Sequence, residues 1–256
     1  MNFVLHAFAF LFGTAIGSFL NVVMYRLPKG ISIIKPNSFC PACKKPIMWY
    51  ENIPLVSYIF LGGKCSNCKQ SISIRYFIVE LITGLVFLYL FAQFKLSLSF
   101  LFYAYFFSVL IAISGIDFAY QLIPDILSMP GILIGLIFHL TQGSFLPSLI
   151  GAAFGGGLIL LIRILGGWVY KKEVMGLGDV FLTAMIGAFV GFPFIIPAIF
   201  FGALVGAVLG IAYVISTSQS RESPIPFGPF LGLGGMIVII FEPQVIQFFA
   251  VLGVNL

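Results

Sequence analysis

The sequence predicts an all-α polytopic membrane protein of about eight transmembrane helices, with a small cytoplasmic four-cysteine insert between the first and the second. Three observations predict it. Hydrophobic residues make up 61% of the 256-residue chain and charged residues only 8%, against roughly 25% charged in soluble domains. Apolar runs of the ~20 residues needed to cross a ~30 Å hydrocarbon core recur along the chain. Between residues 26 and 75 the apolar pattern is broken by Pro28, Pro36, Pro41, Pro46 and Pro54 and by all four cysteines.

Residues 2–25 read as helix 1. The stretch from Phe3 to Tyr25 has no basic n-region and is too long for a signal core, so it is expected to stay as a spanning helix. Gly13, Gly17 and Ser18 give it a small-residue face on which another helix can pack closely. The insert follows, over residues 26–75. The later spans are expected at 76–94, 96–116, 122–140, 145–168, 180–191, 194–216 and 230–251, the sixth being the shortest. Glycines inside them, such as Gly151, Gly155, Gly156 and Gly157, or Gly202, Gly206 and Gly210, read as helix-packing positions, and no internal repeat stands out.

Eight of the 13 Lys and Arg lie between Arg26 and Arg75, which makes the insert cytoplasmic by the positive-inside rule and puts the N-terminus outside. With eight spans, Arg163, Lys171, Lys172 and Arg221 also fall at cytoplasmic ends, leaving Lys95 on the outer face. The net charge of +5 thus follows membrane topology, and nucleic acid is not an expected partner.

Two acids end up on the same cytoplasmic boundary. Asp179 sits in Gly176-Leu177-Gly178-Asp179, and Asp117 closes an apolar run in Ser114-Gly115-Ile116-Asp117. An acid in a bilayer costs roughly 2.5–3.5 kcal/mol and therefore tends to face a protein interior and mark a pathway or a catalytic centre. Two carboxylates in one dry space hold a shared proton, as an aspartic peptidase requires. Alone, either acid could simply cap or end a helix. Because Asp179 opens a helix and Asp117 ends one, the macrodipole predicts Asp179 as the ionised base. The main rival function is a transporter, but its coupling acids would be expected near the midplane rather than at one boundary. There is no HExxH, and neither His6 nor His139 accompanies an acid cluster.

Cys40-Pro-Ala-Cys43 and Cys65-Ser-Asn-Cys68 form two C-x2-C pairs. Two such turns can close four thiolates around one zinc with no position left for water, which makes a structural site. Paired disulfides are the alternative, and a reducing cytoplasm disfavours them.

In order along the chain, Gly17-Ser18-Phe19-Leu20-Asn21-Val22, Tyr25-Arg26-Leu27-Pro28, both C-x2-C pairs, Ser73-Ile74-Arg75-Tyr76, Glu80-Leu81, the segment from Ile116 to Asp125 with its Ile123-Pro124-Asp125, Gly176-Leu177-Gly178-Asp179 and Pro226-Phe227-Gly228-Pro229-Phe230-Leu231 resemble the bacterial type IV prepilin peptidases. The resemblance implies a GxGD-type intramembrane aspartic protease, with residues 76–256 as its peptidase core. Such an enzyme removes the short basic leader of prepilins or type II secretion pseudopilins after a glycine, then N-methylates the new N-terminus with S-adenosylmethionine. By motif position it implies Asp117 and Asp179 as the catalytic pair, supported by Gly176 and Gly178. Asp125 is expected to shape the turn into helix 4, and it stays open as an alternative partner. Arg75 and Glu80, charges at the start of helix 2, are candidates for the methyl-transfer site. Arg75 could equally serve the positive-inside bias, and Glu80 could pair with Arg75 or with another helix. The inner membrane is the expected location and the lipid bilayer a partner; the oligomeric state is not legible.

Overall fold

The computed structural model describes residues 2–173, 175–217 and 226–253. Among them there are no strands, only two isolated β-bridges. Ten α-helices follow in order: α1 Asn2–Arg26, α2 Val56–Phe60, α3 Ile74–Phe94, α4 Leu98–Tyr120, α5 Asp125–Thr141, α6 Phe145–Tyr170, α7 Leu177–Val190, α8 Ile195–Thr217, α9 Gly228–Ile240 and α10 Glu242–Val251. Every predicted span is helical, and the protein is a multi-pass membrane protein. Five helices, α1, α3, α4, α6 and α8, are long and apolar enough to cross a bilayer, or six spans if α9 and α10 count as one. The eighth predicted span is broken: α9 and α10 meet at 96°. Pro243 explains the break, since it lacks an N–H and its ring would clash with the carbonyl one turn earlier; in the first turn of α10 neither matters. The predicted topology's Arg221 lies outside the described residues.

The chain divides into two compact units, residues 1–112 and 113–256. In the first, α1 packs on α3 through the small-residue face read from the sequence. A Cβ on Gly17 would stand 2.7 Å from Glu80 Cα, and one on Gly13 would stand 2.6 Å from Phe87 Cβ, so only glycine allows this approach. Gly84 returns the arrangement from α3, lying against the Thr14 methyl.

In the second unit, α7 is the central element, packed by α5, α6 and α9. Its 14 residues reach about 20 Å at 1.5 Å per residue, short of a full crossing. Leu182, Thr183, Met185, Ala188 and Phe189 on it are almost fully buried. Gly151 of α6 and Gly187 of α7 bring the two backbones into contact. Gly155 faces the Thr183 carbonyl, and Gly202 and Gly206 of α8 face Phe230 of α9. These glycines are packing positions, as read from the sequence. Gly157 is the exception, with open space before it.

Candidate active site and cysteine centre

The acids of the second unit are buried. Helix α4 runs one turn beyond its predicted end at residue 116, so Asp117 lies inside the helix at 5% exposure, and Asp179 is 9% exposed in the first turn of α7. Neither acid marks where a helix meets water. Each carboxylate takes one backbone N–H. Asp179 Oδ2 accepts from Gly176, the residue before its own helix, at 3.1 Å, and Asp117 Oδ2 accepts from Gly228, the first residue of α9, at 3.0 Å.

Ile123 ties the two sides together. A Cβ on Gly178 would stand 2.6 Å from Ile123 Cβ; one on Gly228 would stand 3.0 Å from Ile123 Cδ1 and 2.8 Å from Asp117 Oδ2. The acids' neighbouring glycines therefore close on one buried isoleucine, and the carboxylates lie within electrostatic reach of each other. Gln121 gives the chain its turn out of α4 with a left-handed φ of 51°, which brings Ile123 back under the acid end of that helix.

Because Asp117 also meets a helix N-terminus, that of α9, the macrodipole no longer separates the two acids. The sequence-based reason for choosing Asp179 as the base falls away. It placed Asp117 against its own helix only, and the partner 111 positions later has no local signal. Asp125 is the first residue of α5 and exposed.

Arg163 reads in the sequence only as a topological charge, but in the fold it reaches the segment before Gly176. Its Nε donates to the Met175 carbonyl at 2.9 Å and its guanidinium pairs with Glu173 at 2.9 Å, so α6 grips the segment leading into Gly176. Nothing in the spacing of residues 163 and 175 announces that bond.

The insert brings its four cysteine Sγ atoms within 4.8 Å of one another, with Cys40 and Cys68 at 3.9 Å. Tetrahedral thiolates at the ~2.3 Å of a zinc–sulfur bond would lie about 3.8 Å apart, so the residues fit a closed four-sulfur metal centre. The two knuckles share one fold. In each, the first cysteine is bonded to the residue five places on, Cys40 N–H to the Lys45 carbonyl and Cys65 N–H to that of Gln70, both at 2.9 Å. Lys44 and Lys69, each following the second cysteine, have φ of 62° and 60°, and bridges Phe39–Pro46 and Lys64–Ser71 close the bases. This is a short structural repeat that sequence identity does not reveal.

The thiols are poised unequally. The Lys45 N–H, with help from the Asn67 amide, lowers Cys43 to about 6. The N–H groups of Cys68 and Asn67 lower Cys65. Cys68 accepts from the Gln70 N–H, which alone would lower it, but desolvation and the neighbouring sulfurs push it up to about 11. Four clustered sulfurs that resist joint ionisation are what a bound cation relieves.

Glu80 is 7% exposed and its Oε2 accepts the Leu55 N–H at 2.8 Å. Arg75 lies beside the Tyr76 ring, 5.9 Å from its centroid, and its Nε has no partner. The one ion pair among the described residues is Arg163–Glu173, so Glu80 does not pair with Arg75; it meets the Ser18 hydroxyl of another helix, α1, instead.

A helical membrane protein carrying a buried acid pair beside a GxGD segment, with a four-cysteine insert after its first span, defines a membrane-embedded aspartic protease with a metal-type module. The comparisons carry this further: residues 11–94 match the bacterial peptidase A24 N-terminal domain and residues 104–211 the type IV leader peptidase family. The prepilin leader peptidase/N-methyltransferase of Pseudomonas aeruginosa is 37% identical over 92% of this chain and 90% of that protein. The protein of that name from Neisseria gonorrhoeae is 35% identical, over 88% and 87%. Its namesake from Myxococcus xanthus is 37% identical over 83% of this chain, which spans 64% of that relative. No solved structure matches. The chain belongs to the type IV leader peptidase family.

Proposed function

We propose that this protein removes the short basic leader of type IV prepilins or pseudopilins, cutting after a glycine at the cytoplasmic face of the bacterial inner membrane. It then N-methylates the new N-terminal residue with S-adenosylmethionine. Asp117 and Asp179 are the catalytic pair in a peptidase core of residues 76–256. The insert of residues 26–75 is a zinc module held by Cys40, Cys43, Cys65 and Cys68, and the N-terminus lies outside. The observation that carries the peptidase reading is a pair of buried carboxylates, from α4 and α7, each accepting a backbone N–H at the start of a helix, with Gly178 and Gly228 closing on Ile123 beside them.

One ionised carboxylate takes a proton from the attacking water. The other, protonated, donates to the scissile carbonyl and stabilises the tetrahedral intermediate. The Gly176 and Gly228 N–H groups fix the rotamers of both acids, and the glycines let a substrate backbone approach them. Zinc, where bound, neutralises the four thiolates and holds the insert's two knuckles together.

Co-expression with a prepilin, followed by mass spectrometry of the pilin N-terminus, tests both steps. The unmutated protein should yield a shortened, methylated product, and Asp117→Asn or Asp179→Asn should leave the leader in place. Full cleavage by either variant overturns the pair; a product that is cut but never methylated removes the second activity.

A further inference from the structure

The first unit has a partly open cavity of about 380 Å³, within the size range of small-molecule and cofactor sites. It is bordered by the last turns of α1, the first turns of α3 and the inner side of the insert. Aromatic residues Tyr25, Tyr58 and Tyr76 line it, and so do Asn21 and Glu80.

Its polar groups are incompletely matched. Asn21 is 1% exposed. Its amide nitrogen donates to the carbonyls of Gly17 at 3.3 Å and Tyr76 at 3.1 Å, which fixes the amide orientation. Its Oδ1, thus aimed, has no hydrogen-bond partner among the described residues. A buried acceptor left unpaired costs free energy, and native interiors rarely tolerate one without a ligand or water to satisfy it. Close by, the Glu80 carboxylate is held by the Leu55 N–H and the Ser18 hydroxyl and has no cationic partner among the described residues.

The cavity's cations are engaged elsewhere. Arg26 donates to the Ser32 and Asn37 carbonyls, and Lys45 donates to Asn67. Leu55, which donates to Glu80, has φ 60° and ψ −48° and is spanned by a Val56 N–H to Pro54 carbonyl bond of 2.6 Å. That is a γ-turn in the unfavourable positive-φ form, and such strain persists where surrounding structure imposes it. The insert therefore clamps the carboxylate rather than merely passing over it.

A carboxylate and an unpaired carbonyl oxygen within aromatic walls recognise an organic cation that also carries a flat ring. We propose that this cavity binds the sulfonium methyl donor, with Glu80 and Asn21 Oδ1 receiving its positive charge. The inference rests on the methyltransferase part of the reading above, and it assigns Glu80 but not Arg75, which does not line the cavity. In the transfer, the neutral amine's lone pair forms the N–C bond while the C–S pair stays on sulfur. The products are a methylammonium and an uncharged thioether, so the site is left with one positive charge fewer on the spent donor, which favours its release.

Equilibrium binding of S-adenosylmethionine to the purified full-length protein tests the assignment. Glu80→Gln keeps an acceptor for Leu55 but removes the charge. It should weaken binding at least tenfold and shrink the preference for S-adenosylmethionine over S-adenosylhomocysteine, while Asp179→Asn binds the donor like the unmutated chain. Near-ultraviolet crosslinking of the donor to the unmutated protein, which needs no variant to fold, should label peptides within residues 18–80. Unchanged binding by Glu80→Gln, or label confined to residues 113–253, overturns the proposal. A protein that cuts prepilin yet binds no donor also overturns it and leaves the peptidase reading standing.

Discussion

The cysteine centre draws its ligands from two four-residue segments, Cys40–Cys43 and Cys65–Cys68, separated by 21 residues. The acid centre instead needs Asp117, Ile123, Asp179 and Gly228, contributed by α4, the turn after it, α7 and α9. The first is a local device, in which spacing alone sets the chemistry and a metal can supply the order that a small apolar core cannot. The second is held by the packing of a helical unit. Its accuracy depends on glycines far from either acid in sequence, and damage should register differently in the two centres.

The largest effect is expected at the acids themselves. Asp117→Asn and Asp179→Asn should each lower prepilin cleavage by 10³-fold or more, since neither carboxylate can do the work of both, whereas Asp125→Asn should stay within a few fold of the unmutated rate. A time course of leader removal in detergent or vesicles reads all three. If Asp125→Asn were inactive while Asp117→Asn still cut, Asp117 would lose its place in the pair to Asp125.

Gly228→Ala probes the long-range half of the comparison. Its methyl group would stand 2.8 Å from Asp117 Oδ2, so the carboxylate must move, and a misplacement of about 1 Å can cost 10²-fold. The expected result is a fall of that order in the cleavage rate with the fold intact by circular dichroism. A fully active Gly228→Ala enzyme would mean that the Gly228 N–H does not set the acid's position.

The cysteine centre should break in a different manner. Cys→Ser at any of the four positions, or removal of metal by a strong chelator, should release about one metal ion per chain and expose the insert's lysines to trypsin, because metal binding and folding are coupled in such modules. Elemental analysis and digestion kinetics check it. Leader cleavage should suffer less than in the Asp variants.

How much of each centre could be read in advance follows the same division. The four cysteines, the helix-1 glycine face and both acids were legible because each depends on residue type and short spacing. The knuckles' common fold was not, because Lys44 and Lys69 adopt their left-handed turns without a glycine to signal them. The Gly228 bond to Asp117, the bend before α10 and the end of α4 one turn late were also hidden. They depend on which helices meet, and apolar runs that all look alike to hydropathy do not encode their neighbours. Glu80 was legible as a charge out of place, but the unpaired Asn21 oxygen beside it appears only in three dimensions.

The smallest effect, and the finest test of packing against local pairing, lies at Arg163. Its ion pair with Glu173 is exposed on the Glu173 side, where that side chain is 82% accessible, and surface pairs contribute only ~0–1 kcal/mol. Its bond to the Met175 carbonyl is partly buried and fixes the backbone directly before Gly176; a charged hydrogen bond of this kind is worth about 1.5–3 kcal/mol. Glu173→Gln should therefore change cleavage less than twofold, while Arg163→Met should lower it about tenfold by letting the Gly176 N–H drift from Asp179. Arg163→Lys should recover little, because one ammonium on a flexible stem does not reproduce the guanidinium's hold on both groups. Combining Arg163→Met with Glu173→Gln should cost no more than Arg163→Met alone. If Glu173→Gln instead matched Arg163→Met, the exposed charge rather than the backbone bond would be holding the segment.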